Sequence, residues 1–98
     1  MDTSVQKMDS LGKILIPNPL RRLVDLGKPT EVDYTADYEN QTLTIKSNAP
    51  GTLNIDELGR VNLPKELRDK LGFITESKQS FLLTADVTNS SITIKLES

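Results

Sequence analysis

Apolar residues along this chain fall into short alternating runs separated by turn residues. Thr42 to Lys46 sets Leu43 and Ile45 between polar neighbours, and Ser91 to Leu96 does the same with Ile92 and Ile94. A period of two predicts strands with one buried face. Glu31 to Ala36 and Ser80 to Ala85, rich in β-branched and aromatic residues, predict two more strands. Asp37 to Gln41 and Asp86 to Ser90 join these runs as turns. Val5 to Met8 and Leu53 to Ile55 are short strands leading into Asp-x-Leu-Gly, a turn signal. Lys13 to Ile16 and Arg60 to Leu63 follow as second short strands. Asn62 stands where the first run has Leu15, so the outer face of these strands is not deeply buried. Pro17 and Pro64 end them and open a helix, where a missing N–H costs nothing. Residues 18–26 and 65–71 are the predicted helices, closed by Gly27 and Gly72, with Pro19 tolerated in the first turn.

The same order of elements occurs twice. Asp9-Ser-Leu-Gly-Lys-Ile-Leu-Ile-Pro-Asn-Pro-Leu-Arg21 lies over Asp56-Glu-Leu-Gly-Arg-Val-Asn-Leu-Pro-Lys-Glu-Leu-Arg68 at an offset of 47, with six of thirteen positions identical. Val32 to Lys46 lies over Phe81 to Lys95 at an offset of 49, with seven of fifteen identical, among them Thr35-Ala-Asp37 over Thr84-Ala-Asp86. The chain reads as a tandem duplication of a ββαββ unit, residues 1–49 and 50–98, joined near Ser47 to Gly51.

Composition explains why two units are needed. Of 98 residues 36% are hydrophobic, with two Phe, two Tyr and no Trp, so a core must rest on Leu, Ile and Val. Neither unit is large enough to close such a core alone, and two interleaved units are. The predicted fold is mostly β with short helices. There are no Cys and no His, which removes disulfides, thiolate sites, the commonest zinc ligand and the commonest general base. No spaced carboxylate cluster replaces them, so no enzymatic activity and no cofactor or metal are expected. No window approaches the ~18–20 apolar residues of a membrane span, and a polar start without a signal peptide predicts a cytoplasmic protein.

The repeated residues resemble a known family. Ile55-Asp-Glu-Leu-Gly-Arg-Val-Asn-Leu-Pro-Lys-Glu-Leu-Arg68, followed by Leu71-Gly72 and a strand hairpin, is similar to the SpoVT–AbrB, or swapped-hairpin, domain. Met8-Asp-Ser-Leu-Gly-Lys-Ile-Leu-Ile-Pro17 is nearly as close, and the two copies span Val5 to Leu96. The family includes bacterial AbrB-type transition-state regulators and MazE-type antitoxins. The resemblance implies that the two units exchange hairpins into one double-psi or barrel-like core, a pseudo-dimer within one chain. It also implies that basic residues of the loop and short helix face double-stranded DNA: Lys7, Lys13, Arg21 and Arg22 in the first unit, Arg60, Lys65, Arg68 and Lys70 in the second. A homodimer is the further partner expected on longer DNA.

Charge by position refines this. Net charge is −2 overall, yet residues 1–28 carry an excess of two positive charges and residues 29–47 an excess of three negative ones. Such polarity turns one face toward phosphates. Residues 51–71 are neutral, and Asp69 stands opposite Arg22. Arg60 and Arg68 are the expected base readers, because the guanidinium fork matches a guanine edge. Asp9 and Asp56 are expected to hydrogen-bond the backbone of their turns, Gly12 and Gly59 to serve tight turns, and Tyr34, Tyr38, Phe73 and Phe81 to pack in the core or hairpins. Two other classes compete with a DNA-binding regulator. A MazE-like antitoxin normally wraps its toxin with a C-terminal segment. Only Glu97-Ser98 follow the last strand here, so a toxin would need a different surface. A protein-interaction module that has lost DNA binding suits the acidic balance.

Overall fold

In the computed structural model, which describes residues 2–97, short alternating segments give strands and the Pro-led segments give helices. The first unit runs β1 (Thr3–Gln6), β2 (Lys13–Leu15), α1 (Asn18–Leu23), β3 (Thr30–Asp37) and β4 (Thr42–Pro50). The second repeats the order with β5 (Leu53–Ile55), β6 (Arg60–Asn62), α2 (Lys65–Leu71), β7 (Phe81–Asp86) and β8 (Ser91–Leu96). The fold is mostly β with two short helices, as expected.

All eight strands form one antiparallel sheet in the order β1-β7-β8-β4-β3-β5-β6-β2. A bridge from Met8 to Ile14 brings its two ends together, so the sheet is a nearly closed barrel. Four pairings cross between the units: β1 with β7, β2 with β6, β3 with β5 and β4 with β8. Equivalent residues face each other in two of them. Ile14 pairs with Val61, and Thr44 with Thr93. Antiparallel pairing of equivalent strands places a local two-fold axis through both pairs. The radius of gyration is 12.0 Å, close to the ~13 Å of one globule of about 100 residues.

Both units fill one core. Ile14, Ile16, Leu43 and Ile45 meet Val61, Leu63, Ile92 and Ile94 there, each at most 1% exposed. The core is less symmetric than the strands around it. Phe73 and Phe81 form an edge-to-face pair at 4.7 Å in the second unit, where the first has Leu26 and Val32. Tyr34 is half-buried against the same core, whereas Tyr38 is exposed on its hairpin. The two hairpin turns are alike. Asp37 accepts from the backbone and side-chain N–H of Asn40, as Asp86 does from Asn89, and Gln41 and Ser90 close the turns at φ of 50° each.

Three local expectations are corrected. Helix α1 stops at Leu23 rather than at residue 26, and Gly27 does not close it. Asp25 adopts the left-handed φ of 59° instead, while Leu26 N–H donates to the Arg21 carbonyl. The offset of 47 puts Asp25 opposite Gly72, which closes α2 at φ 74° with the matching bond from Phe73 N–H to Arg68. A short polar side chain tolerates this conformation, so no glycine was needed. The strand expected at Val5 to Met8 lies at Thr3–Gln6, because it pairs with β7 as far as Thr84. The joint near Ser47 to Gly51 continues β4 to Pro50, with a register shift between Val32 and Asp33. At Gly51 a Cβ would come within 2.5 Å of Asp33 backbone atoms, so the crossing is tight.

Candidate nucleic-acid interface

At one end of the local axis, β2 and β6 pair as a short ribbon within the sheet, with β5 on the far side of β6 and the Met8 bridge on that of β2. Ile14 and Val61 point inward and are fully buried, which leaves Lys13, Leu15, Arg60 and Asn62 on the outer face. Each strand is entered through an Asp-x-Leu-Gly turn. Asp9 Oδ1 accepts from the N–H groups of Leu11 and Lys13, both at 2.9 Å, and Asp56 Oδ1 from those of Leu58 and Arg60 at 2.9 and 3.0 Å. Both carboxylates therefore act on the backbone, as expected, and each keeps its second oxygen for a cation.

Those second oxygens hold the ribbon cations. Arg60 Nε donates to Asp56 Oδ2 at 2.9 Å, Lys13 Nζ lies 3.9 Å from the same oxygen, and Arg60 Nη1 lies 3.9 Å from Asp9 Oδ2. The Arg60 backbone N–H, opposed by burial and helped to a lesser degree by the Arg60 guanidinium and the Leu58 N–H, holds the Asp56 carboxyl below its ordinary value. Two cations and two carboxylates thus alternate across the axis.

A second pair of cations flanks the ribbon from the helices. Arg21 Nε donates to the Ile16 carbonyl at 2.8 Å, and Arg68 Nε to the Leu63 carbonyl at 2.9 Å. Each guanidinium lies on the turn of the opposite unit. A Cβ on Gly59 would meet Nε, Cζ and Nη2 of Arg21, the last at 2.8 Å, and a Cβ on Gly12 would lie 2.9 Å from Arg68 Cζ. Both glycines also have φ near 80°. The same turns bind backbone across the units: Gly59 carbonyl accepts from Ile16 N–H and Gly12 carbonyl from Leu63 N–H. Nε is engaged in both arginines, while no hydrogen bond occupies their Nη groups among the described residues.

The chain matches no family model, no curated protein and no solved structure.

Of the eight residues expected at DNA, the structure gathers Lys13, Arg21, Arg60 and Arg68 about one axis. With Asp9 and Asp56 counted, this group keeps an excess of two positive charges. Arg22 and Lys65 lie exposed on the helices. Arg22 donates to the Asn18 side-chain oxygen once that amide is turned to face it, at 3.1 and 3.2 Å, and Lys65 pairs with Asp69 at 2.8 Å. Lys70 and Lys7 are directed elsewhere. Lys70 pairs with Glu66 at 3.4 Å and sits 6.0 Å from the Tyr38 ring, beside a concavity of about 200 Å³. Lys7 reaches the Lys78 carbonyl and Ser80 Oγ near the start of β7.

Sequence reasoning missed the apolar part of this face. Leu11 and Leu58, at the tips of the two turns, are 70% and 65% exposed, and Leu15 on the ribbon is 39% exposed. It also missed the seating of each arginine on a glycine of the other unit. The available signal was that Gly and Arg recur together at the same offset. Among the described residues no three His, Cys, Asp or Glu stand together to hold a metal ion, and no helix is long and apolar enough to cross a membrane.

Proposed function

We propose that this protein is a DNA-binding transcriptional regulator of the AbrB type, with the two units joined as a swapped-hairpin pseudo-dimer. It occupies promoter or operator DNA and performs no catalysis and needs no cofactor. A regulator of this kind acts in the cytoplasm. The observation that carries the reading is the placement of Lys13, Arg21, Arg60 and Arg68 in two equivalent sets about the β2–β6 ribbon. Strands β2 and β6 set Lys13 and Arg60 side by side on the outer face of the sheet, where clustered cations can meet a phosphate backbone. A two-fold arrangement of cations matches the two antiparallel strands of a duplex, as symmetric DNA readers do. The paired carboxylates reduce the attraction to phosphate, so affinity should be modest, and each phosphate contact that remains makes it fall with salt.

The test is a duplex titration at about 50 and 200 mM salt, alongside a solution mass. Binding that weakens with salt supports the reading, and the mass distinguishes one chain from a homodimer. No binding to any duplex at low salt refutes it. A second reading then takes its place, for which Leu11, Leu15 and Leu58 speak: apolar side chains on an exposed face suit a protein partner. Co-purification of a toxin would identify that module as a MazE-like antitoxin.

A further inference from the structure

The two arginines that flank the ribbon belong to helices, yet each rests on a turn of the other unit. Arg21 comes from α1, and its seat is Gly59, between the Asp56 turn and Arg60. Arg68 comes from α2, and its seat is Gly12, between the Asp9 turn and Lys13. Two contacts hold each guanidinium, and a backbone bond fixes the residue it leans on. Nε is bonded to the carbonyl of the residue just past its own unit's ribbon strand, the guanidinium lies where the seat glycine lacks a Cβ, and the residue bearing that carbonyl is bonded through its N–H to the seat glycine. Both arginines are half-buried, and among the described residues their Nη groups are the part without a hydrogen bond.

We propose that Gly59 and Gly12 are positioning residues for DNA, acting in trans on Arg21 and Arg68. This rests on the DNA-binding reading above. Each half-site is then shared: Arg60 and its turn come from one unit and Arg21 from the other, with Lys13 and Arg68 forming the second set. The physical argument is preorganisation. An arginine free on a short helix loses side-chain entropy when it grips a phosphate or a base edge. One already fixed through Nε and a glycine seat loses far less, and its two Nη groups remain as an end-on fork. A methyl on the seat must displace the guanidinium, because the displaced atoms are those that the hydrogen bond holds.

The experiment is a double-mutant cycle on the full chain, read as duplex affinity over a salt series, with melting curves to establish folding. Arg21→Ala should weaken binding about tenfold, as expected for a lost charge-assisted bond. Gly59→Ala should weaken it by a similar factor although it removes no charge. The two together should be no worse than Arg21→Ala alone. Gly59→Ala with Arg68→Ala should instead multiply, because they touch different half-sites. If Gly59→Ala does not fold, Arg21→Lys carries the test. It keeps the charge and loses the fork, so the salt slope should stay near wild type while affinity falls. Gly59→Ala losses that multiply with Arg21→Ala, or Arg21→Lys at full affinity, overturn the shared half-site and leave the DNA-binding reading standing. A wild-type chain that binds no duplex overturns both.

Discussion

Asp69 stands at the position of Arg22, and replacing it by Arg tests how the two halves of the proposed DNA face would divide their contact. In the structure Asp69 Oδ2 holds Lys65 Nζ at 2.8 Å, and the two side chains are 60% and 79% exposed. An exposed pair of this kind on one helix contributes only about 0.3–0.5 kcal/mol. Asp69 also lies near the C-terminus of α2, where a negative charge opposes the helix dipole and a positive one is favoured. Asp69→Arg should therefore leave the fold intact. Its effect on binding has two parts: one cation is added, and Lys65 is released from its partner. If one or both reach phosphate, the slope of log K against log salt steepens by about one to two units, since each contact releases about 0.9 counterion. Between about 50 and 200 mM salt, that makes the loss of affinity ~3- to 12-fold larger than for the wild type. Arg22→Ala is the mirror experiment and should flatten the slope by about one. The assay is fluorescence anisotropy of a labelled duplex, competed with unlabelled duplexes of different sequence. Asp69→Arg should strengthen binding to all of them with little gain in selectivity. Wild type, Asp69→Arg and Arg22→Ala with the same slope would mean that the outer helix surfaces touch no phosphate. The face would then be confined to the ribbon and its two seated arginines.

Three further outcomes follow from the fold. Residues 1–49 alone keep the β3–β4 pairing but lose every partner on β7, β8, β5 and β6, so the fragment should show no cooperative melt, and adding residues 50–98 should restore it; a well-dispersed, cooperatively melting monomer of the fragment would contradict this. Asp25→Gly should stabilise the chain by about 1 kcal/mol, because it removes a left-handed non-glycine residue and a carboxylate from the end of α1. Calorimetry should then show a rise in Tm of ~4–8 °C, and an unchanged or lower Tm would refute the argument. Asp86 is held below the ordinary Asp value of 3.8, first by the Asn89 side-chain amide and then by the Asn89 backbone N–H. A folded pKa below the unfolded one gives a contribution that is complete above the unfolded value and is lost as pH falls through the folded value. Asn89→Ala should move the Asp86 titration up toward 3.8, read from its carboxyl carbon by NMR, and an unmoved titration would show that the amide plays no part.

Much of the local structure was determined by the sequence itself. Period-two alternation at Leu43/Ile45 and Ile92/Ile94 marks β4 and β8 and the faces they bury. Pro17 and Pro64 mark the start of each helix, and Asp9 and Asp56 serve the turns that Asp-x-Leu-Gly announces. These features depend on interactions between residues only a few positions apart, and so they can be read from a single chain. The repeat could be read as well, because its two copies carry the same residues in the same order. Partners distant in sequence were decided by the tertiary structure. Alternation says which face of β3 is buried, but only the pairing register places β3 beside β5. The helices showed Arg21 and Arg68 as similar surface cations. Packing the two units together brought each against the other's glycine turn. The same packing turned Lys70 toward Tyr38, carried Lys7 to the start of β7 and brought Arg60 near Asp9, whereas the bond from Arg60 to Asp56 is local to one turn. Charge counted along the chain treats these cations alike, whereas their reach depends in large part on contacts between residues distant in sequence, which form only when both halves close one barrel.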